Sequence, residues 1–320
     1  SINSFPVKIN LNIFPQHFAE NETGTKIIIE SLKCEWDRRQ LREIYRNIMS
    51  LHSPFEDASD QFEVMIRSNN EKLFAGLPTF EDIISNGGLY FCSCVMSGDA
   101  IKSFKYEFKP WPTLSKISSG RTITEKELQE YDIPLIGYKE IEGKRKPELY
   151  NIDLNDLKIG DIRFDIIIFE KDNVIYNYVN TEKSTINDYL RENGGIRVYR
   201  DNVRVYDYGE RDNDWLGIDL KRVHRVGGNI SNNIILGSVR LDRKYSIGLK
   251  EKTNREGFIE DEAYFAFRDA IDHVLSIIVR FRNEDKERLT TLYKNNKAIE
   301  PVIAELSDAI SIKKKKVTNK

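Results

Sequence analysis

The chain of 320 residues has few cysteines, few histidines and no long apolar segment. Its three cysteines, Cys34, Cys92 and Cys94, form neither a disulfide framework nor a zinc-ligand pattern. This cysteine usage is typical of a reduced, intracellular setting, so we expect a cytoplasmic protein. No apolar run approaches the roughly 18 residues that a membrane span needs, and we expect no membrane partner. The four histidines share no ligand spacing, so no metal site is predicted.

Positive and negative charges nearly cancel in this chain. Lys and Arg number 49 and Asp and Glu number 51, so the formal net charge at pH 7 is -2. This balance argues against a protein that binds nucleic acid through its net charge alone. Hydrophobic residues make up 40% and charged residues 31%, which is typical of a globular protein, and the length predicts two units with their own cores.

Common nucleotide-binding and hydrolase motifs are also missing. The sequence contains no phosphate-binding loop, no Gly-x-Ser-x-Gly elbow and no carboxylate pair at a recognisable spacing. It does not begin with Met, and residues Ser1–Asn12 already alternate between apolar and polar as a strand does. We therefore expect the sequence to be part of a larger protein.

The first 70 residues predict strands on either side of one helix. Gly24–Ile29 predicts a β-branched strand that opens with a Gly-Thr turn, and Gln61–Arg67 predicts another strand. Between them, apolar residues recur at helical spacing, and Asp37 is the candidate N-cap of that helix. Ser68–Glu71 is predicted to be a hinge.

The longer remainder, residues 71–310, predicts a mixed sheet with packed helices. Strands are expected at Leu89–Met96, from Phe104 to Phe108, at Phe164–Phe169 and at Ile234–Leu241. Residues 109–160 are rich in proline and charge, and they are interpreted as an insertion with one short helix near Glu125–Tyr131. The order of elements predicts an α+β or α/β fold.

A strongly amphipathic helix is predicted towards the C-terminus. Its apolar positions, at spacings of three and four, are Ile259, Ala263, Phe267, Ile271, Val274 and Ile278. Its first turn is expected to hold Glu260, Asp261 and Glu262, which suit the positive end of the helix dipole. A further helix is expected through Leu306, followed by a basic tail over residues 311–320.

A tight β-hairpin is predicted where Asp201 and Asn202 separate the strands Ile196–Arg200 and Val203–Tyr206. Pairing across the turn places four side chains on one face: Arg197, Tyr199, Arg204 and Tyr206. Such a face either binds nucleic acid through stacking and phosphate contacts or carries ordinary cross-strand pairs exposed to solvent. The second interpretation is the commoner one.

The cation-bearing segment Lys250–Gly257, which we call the cationic loop, precedes the amphipathic helix. Cations on a loop beside a rigid element suit contact with a phosphate on another domain. The alternative is that they are solvated loop charges ahead of an acidic helix N-terminus.

Two separated segments resemble the GHKL superfamily of ATPases, which includes gyrase, the ninety-kilodalton heat-shock chaperone, histidine kinases and MutL. Gly24–Ile29, the helix after it and Phe62–Arg67 resemble the last motif of the ATP-binding domain and the elements that close it. Thr253–Gly257 with the helix after it resembles the catalytic loop of the chaperone's middle domain. The run from Gly194 to Ala270, including Asn213–Gly217, resembles a bacterial branch of stand-alone GHKL ATPases, some of them associated with phage defence.

The resemblance implies a division of the chain into three parts. Residues 1–70 would be the closing edge of an ATP-binding domain, and residues 311–320 a basic tail. Residues 71–310 would be a transducer domain, of the ribosomal-protein-like type, with its insertion at 109–160. Family members commonly close as dimers, so the resemblance also implies a homodimer.

The resemblance also assigns roles to individual residues. Arg255 would reach the terminal phosphate of ATP, with Lys252 and Lys250 as alternates. Asn254 would position the loop by hydrogen bonding to its backbone.

The same comparison places Gly24 and Thr25 near the adenine end of the nucleotide. The alternative is that Gly24 makes a turn and Thr25 is simply a good strand residue.

The sequence departs from the family where Mg-ATP is bound. The family uses a helix with Glu four residues before Asn, an Asp-x-Gly-x-Gly loop and a Gly-rich lid, and none of these is present. Asp214–Gly217 does not have the spacing of the Asp-x-Gly-x-Gly loop. The resemblance therefore implies that ATP and Mg²⁺ are bound by an upstream segment, and that this chain alone does not hydrolyse ATP. The alternative function is a non-enzymatic nucleic-acid-binding or scaffolding module that uses the Arg/Tyr hairpin and the basic tail.

Overall fold

A computed structural model of the chain describes residues 37–51, 53–55, 79–129, 134–139, 148–179, 182–224, 229–254 and 256–318. These residues form a mixed sheet with packed helices, which confirms the predicted α+β class. The strands predicted at Ser1–Asn12, Gly24–Ile29 and Gln61–Arg67 lie outside the described residues, as does the predicted hinge at Ser68–Glu71.

Helices and strands are numbered here in chain order. The helices are α1 (Arg38–Met49), α2 (Phe80–Gly87), α3 (Glu125–Gln129), α4 (Asn173–Tyr176), α5 (Lys183–Asn193), α6 (Ile218–His224) and α7 (Glu262–Thr318). The strands are β1 (Gly88–Ser97), β2 (Ala100–Phe108), β3 (Arg121–Thr124), β4 (Ile136–Lys139), β5 (Glu148–Asn151), β6 (Ile162–Phe169), β7 (Gly195–Arg200), β8 (Val203–Val205) and β9 (Ile235–Leu241).

Seven strands form one sheet in the order β3-β2-β1-β6-β9-β7-β8. Neighbours are antiparallel except β7 and β9, which run parallel. The chain returns from β7 to β9 through β8 and α6, because a parallel pair needs a long crossover connection. Strands β4 and β5 form a separate antiparallel pair.

Side chains alternate across the sheet, so each face has its own core. From β1, Tyr90 and Met96 enter the larger core, which α7 covers, whereas Phe91 packs against the smaller core on the other face. The smaller core joins α2 and α5 to the sheet through Ile83, Ile167, Phe169, Ile186, Leu190 and Leu236. The protein is therefore built of three layers, with helices on both sides of the sheet.

Cys92 and Cys94 lie on one face of β1, as their spacing predicts, and both are buried in the larger core. Burial raises the pKa of each thiol, so both remain protonated at neutral pH. Within the described ranges, no group of three or more His, Cys, Asp and Glu residues is placed to hold a metal ion.

Helix α7 has 57 residues, which corresponds to about 85 Å at 1.5 Å per residue. The predicted apolar positions from the helix start onwards are buried as expected: Ala263, Phe267, Ile271, Val274 and Ile278. The helix begins at Glu262 and not ahead of Ile259. Asp261 caps the start of the helix. Its carboxylate accepts a hydrogen bond from the Tyr264 amide (3.2 Å), and its carbonyl accepts one from the Phe265 amide (3.0 Å).

The separate last helix predicted through Leu306 is instead continuous with α7, which ends at Thr318. No Gly or Pro occurs between Glu262 and Glu300, so the backbone has no breaker at which the first helix would end. The start of the predicted basic tail therefore belongs to the helix. None of the helices in the described segments is long and apolar enough to cross a membrane.

The segment 109–160 is more regular than its composition predicts. The short helix expected near Glu125–Tyr131 is confirmed as α3, but the strands β3, β4 and β5 were not predicted. Strand β3 extends the main sheet by pairing with β2. The β4–β5 pair is held to α7 by Asp269, which accepts hydrogen bonds from the Tyr138 amide (3.1 Å) and the Tyr150 hydroxyl (3.3 Å).

The predicted β-hairpin is confirmed as β7 and β8, with Val198 opposite Val205. Asp201 and Asn202 have φ angles of 49° and 63°, as a type I′ turn requires.

The second face of this hairpin is not exposed as expected. Tyr199 is fully buried and Arg204 is 9% exposed, so the prediction of solvent-exposed cross-strand pairs is wrong for these two residues. The residues after α1 cover this face, and the Tyr199 hydroxyl donates to the Ser50 carbonyl at 3.2 Å. Sequence periodicity does not reveal this cover because Ser50 is about 150 positions away along the chain.

Helix α1 begins after Asp37, as predicted, with a reciprocal capping box. The Asp37 carboxylate accepts the Gln40 amide at 2.8 Å, and the Gln40 side chain accepts the Asp37 amide at 3.1 Å. The other end of the helix docks on the main sheet and on α5. Arg46 donates to the Glu192 carbonyl at 2.6 Å, and the Ser53 hydroxyl is hydrogen bonded to that of Ser238 in β9 at 2.7 Å.

A buried ion pair between Arg282 and Glu170 ties α7 to the residue that follows β6. Each is 2% exposed, and Lys286 also lies 3.2 Å from the Glu170 carboxylate. One turn along, Asp285 accepts a hydrogen bond from the Tyr106 hydroxyl at 2.8 Å. Charges buried this deeply are stable only when they are paired.

We expect Arg282→Ala to lower the free energy of unfolding by about 3 kcal/mol, because it leaves the Glu170 carboxylate buried without its main partner. The matched control is Arg191→Ala, which breaks an exposed pair with Asp188 and is expected to cost less than about 1 kcal/mol. Urea unfolding monitored by circular dichroism measures both values. Equal, small losses would show that the buried pair does not hold α7 in place.

Candidate functional site

The cationic loop lies between β9 and α7 and is described apart from Arg255. Glu251 forms an antiparallel bridge with Phe258 at the base of the loop. The Lys252 amide donates to the Gly257 carbonyl at 2.9 Å, which closes the base a second time. The loop is therefore a narrow hairpin with a regular base and a short tip.

Arg200, the last residue of β7, fixes one side of this base. Its guanidinium donates to the Leu249 carbonyl, the Ser246 hydroxyl and the Glu251 carboxylate, each at 3.0 Å, and also to the Ser246 carbonyl. The guanidinium lies 5.7 Å from the centre of the Phe258 ring. The base of the loop is thus tied to a strand of the main sheet.

Tyr208 fixes the other side of the base. Its hydroxyl accepts a hydrogen bond from the Phe258 amide at 2.9 Å. Its ring packs against those of Trp215, Phe258 and Tyr264, with centroids 4.9, 5.7 and 6.4 Å away. Burial raises the pKa of Tyr208, so the hydroxyl is protonated at neutral pH.

At the tip, Asn254 makes two hydrogen bonds to Glu256. Its side-chain oxygen accepts the Glu256 amide at 3.2 Å, and its side-chain nitrogen donates to the Glu256 carboxylate at 2.7 Å. The first of these bonds joins the Asn254 side chain to the loop backbone. Both residues are exposed, and Arg255 stands between them in sequence.

The two lysines of the cationic loop are exposed and only loosely paired. The ammonium group of Lys250 lies 3.7 Å from the Asp261 carboxylate, and that of Lys252 lies 3.6 Å from the Glu260 carboxylate. Exposed pairs of this kind contribute little to stability. Either lysine is therefore free to exchange its carboxylate partner for another anion.

The structure brings Lys250, Lys252 and Asn254 together in the cationic loop, as their sequence proximity requires. Gly24, Thr25 and Arg255 lie outside the described residues, so their roles stay predictions.

The residues that hold the loop, Arg200 and Tyr208, were not among the predicted site residues. The only signal for Arg200 is a charged residue at the end of an apolar strand. No local pattern links Tyr208 to residues 50 positions away.

The segment Asn213–Gly217, which carries part of the family resemblance, is used for structure. The Asp214 carboxylate accepts the amides of Ile218 (2.7 Å) and Asp219 (3.0 Å) and so begins α6. The Trp215 indole donates to the Ile196 carbonyl in β7 at 2.9 Å. Asp214 therefore caps α6, and Trp215 joins the segment to the sheet.

A groove of about 830 Å³ lies at the end of the sheet near the β7–β8 turn and shares no residue with the cationic loop. Its charged lining residues are Lys158, Asp161, Arg163, Asp201, Arg240, Asp242 and Lys244. Arg240 is paired with Asp165 at 2.6 Å, and the remaining charges of both signs are balanced. The groove therefore does not select a strongly charged ligand.

No protein-family model matches the chain, and no curated protein matches it. Support for a function therefore comes from the geometry of the cationic loop and from the motifs that resemble GHKL ATPases.

Gly257 is predicted to be essential for the shape of the loop. Its φ angle is 83°, and a Cβ atom there would lie 3.0 Å from the Tyr208 hydroxyl. We expect Gly257→Ala to cost about 1–2 kcal/mol for the left-handed backbone and about 1 kcal/mol more for the disturbed Tyr208–Phe258 hydrogen bond. Gly217→Ala is the control, because Gly217 has a φ angle of 63° but open space around its Cβ position.

Urea unfolding of the Gly257→Ala and Gly217→Ala variants tests this expectation. A loss that is no larger for Gly257→Ala than for Gly217→Ala would contradict a role for the close contact with Tyr208.

Proposed function

We propose that the chain is the transducer part of a GHKL-type ATPase and that its cationic loop senses the terminal phosphate of ATP. The observation that carries this proposal is the construction of the loop. Arg200 and Tyr208 hold its base against the sheet, while Lys250 and Lys252 are exposed. A phosphate contact that forms only when two domains close makes hydrolysis depend on the position of the domains. Such a contact needs a loop with a fixed base and an accessible tip.

Arg255 is the proposed phosphate-contacting residue. Its neighbours Asn254 and Glu256 are exposed and hydrogen bonded to each other, which holds the backbone on both sides of it. A guanidinium is always charged and binds phosphate oxygens in pairs, whereas Lys252 and Lys250 supply only point charges. The lysines are therefore the alternates.

The acidic residues of the loop are occupied by other partners. Glu251 is paired with Arg200 at 3.0 Å, and Glu256 is hydrogen bonded to Asn254 at 2.7 Å. Their carboxylates are thus held by groups inside the protein. This arrangement supports a loop whose cations remain available to an incoming phosphate.

ATP with Mg²⁺ is the proposed cofactor, held by an ATP-binding domain of the same protein. In this proposal Gly24 and Thr25 lie near its adenine end. Closure as a homodimer and a role in phage defence are proposed on the resemblance alone, and a cytoplasmic location is proposed on the cysteine usage.

The alternative of a nucleic-acid-binding hairpin has less support. Tyr199 and Arg204 are buried, so two of its four side chains are unavailable for stacking on bases or for phosphate contacts.

The decisive variant is Arg255→Ala in the full-length protein. Since a phosphate-contacting arginine contributes about a thousandfold or more to turnover, we expect kcat for ATP to fall by about that factor while ATP binding is retained. Steady-state ATPase assays and calorimetric titration with a non-hydrolysable ATP analogue measure the two quantities.

Arg243→Ala is the matched control, because Arg243 is an exposed arginine outside the cationic loop, and its turnover should be unchanged. Normal turnover in Arg255→Ala would refute the assignment.

A further inference from the structure

Arg204 in β8 is a buried guanidinium that contacts both the end of α1 and the segment that follows β8. It donates to the Ser50 hydroxyl at 2.8 Å and the Tyr208 carbonyl at 3.2 Å, and it pairs with the Glu210 carboxylate at 2.7 Å. Burial lowers the pKa of Arg204, and the neighbouring positive charge of Arg197 lowers it further. A cation in this setting depends on every acceptor that it reaches.

On one side, these contacts lead to the C-terminal end of α1. Ser50 is the C-cap of that helix, and its amide donates to the Arg46 carbonyl at 2.9 Å. Glu210, the ion-pair partner of Arg204, also lies 3.4 Å from the Arg46 guanidinium. The end of α1 is therefore docked around Arg204 through both a hydroxyl and a shared carboxylate.

On the other side, the contacts lead to the cationic loop. Tyr208, whose carbonyl accepts from Arg204, accepts the Phe258 amide with its hydroxyl at 2.9 Å. The Arg204 guanidinium also lies 5.2 Å from the centre of the Tyr206 ring, and Tyr206 forms a parallel backbone bridge with Glu256. Arg204 thus contacts both residues that hold this strand of the loop.

We propose that Arg204 is a positioning residue that couples the docking of α1 to the order of the cationic loop. With Ser50 in place, the guanidinium holds Tyr206 and Tyr208, and these two residues hold the loop. If α1 moves, the guanidinium loses the Ser50 hydroxyl as an acceptor, and its hydrogen bond to the Tyr208 carbonyl weakens. The planar fork of arginine suits this task because it reaches several acceptors at fixed angles.

This inference names the element that would control the proposed phosphate-sensing loop. Its consequence for ATP turnover rests on the proposed function, whereas the coupling of α1 to the loop does not involve nucleotide.

Hydrogen–deuterium exchange of the 320-residue chain tests the coupling. Ser50→Ala removes the hydroxyl acceptor without touching the loop. We expect the amides of Lys252 and Phe258 to exchange about fivefold faster, which corresponds to the loss of one hydrogen bond. The Lys109 amide, which donates to the Leu89 carbonyl at 2.9 Å beside β1, should keep its rate.

Two further variants complete the design. Arg204→Lys keeps the charge but loses the planar guanidinium that reaches several acceptors at once. This variant should accelerate exchange at the same loop amides by at least as much as Ser50→Ala. Ser115→Ala is the matched control, because the Ser115 hydroxyl donates to the Pro112 carbonyl at 2.8 Å just as the Ser50 hydroxyl donates to the Asn47 carbonyl at 2.9 Å. It should leave the loop amides unchanged.

The coupling is overturned if the loop amides keep wild-type rates in both Ser50→Ala and Arg204→Lys. It is also overturned if the Lys109 amide accelerates equally, since that pattern indicates a general loss of stability. Because no nucleotide is present, these results are independent of Arg255→Ala. Normal turnover in that variant would refute the phosphate-sensing role and leave the coupling standing.

Discussion

Most of the described elements are arranged around the contact between α7 and one face of the sheet. The apolar stripe of α7 shares one core with side chains of β1, β2, β6 and β9, and its buried Arg282 is paired with Glu170, the residue that follows β6. The cationic loop lies between β9 and α7, so the sheet and this helix together position it.

Two buried arginines then convert the β7–β8 hairpin into a support for that loop. Arg200 holds the first strand of the cationic loop through Leu249 and Glu251. Arg204 holds the second strand of the loop through Tyr206 and Tyr208, which follow β8. Guanidinium groups are suited to this work because each one satisfies several backbone and side-chain acceptors at once. The support costs desolvation of two cations, which their carboxylate partners Glu251 and Glu210 offset.

Local sequence patterns predicted much of the fold and only part of the site. The tight turn at Asp201 and Asn202, the N-cap at Asp37 and the apolar stripe of α7 each depend on neighbours within a few residues, and each is confirmed. The four-residue strands β3 to β5 are too short to show periodicity, and the full length of α7 could not be predicted because Pro301, inside the helix, is a residue that usually ends one. The burial of Tyr199 and Arg204 depends on the end of α1, which no local pattern connects to β7 and β8.

Local patterns in the sequence were enough to predict an α+β or α/β fold, the hairpin, the amphipathic helix and the cations just before it. These follow from side-chain periodicity, turn chemistry and composition, which act over a few residues. What holds the cationic loop was decided by the tertiary structure, because Arg200 and Tyr208 reach it across about 50 positions of chain. The tertiary structure also places the end of α1 beside Arg204, since that contact exists only once the sheet has formed and its second face is covered.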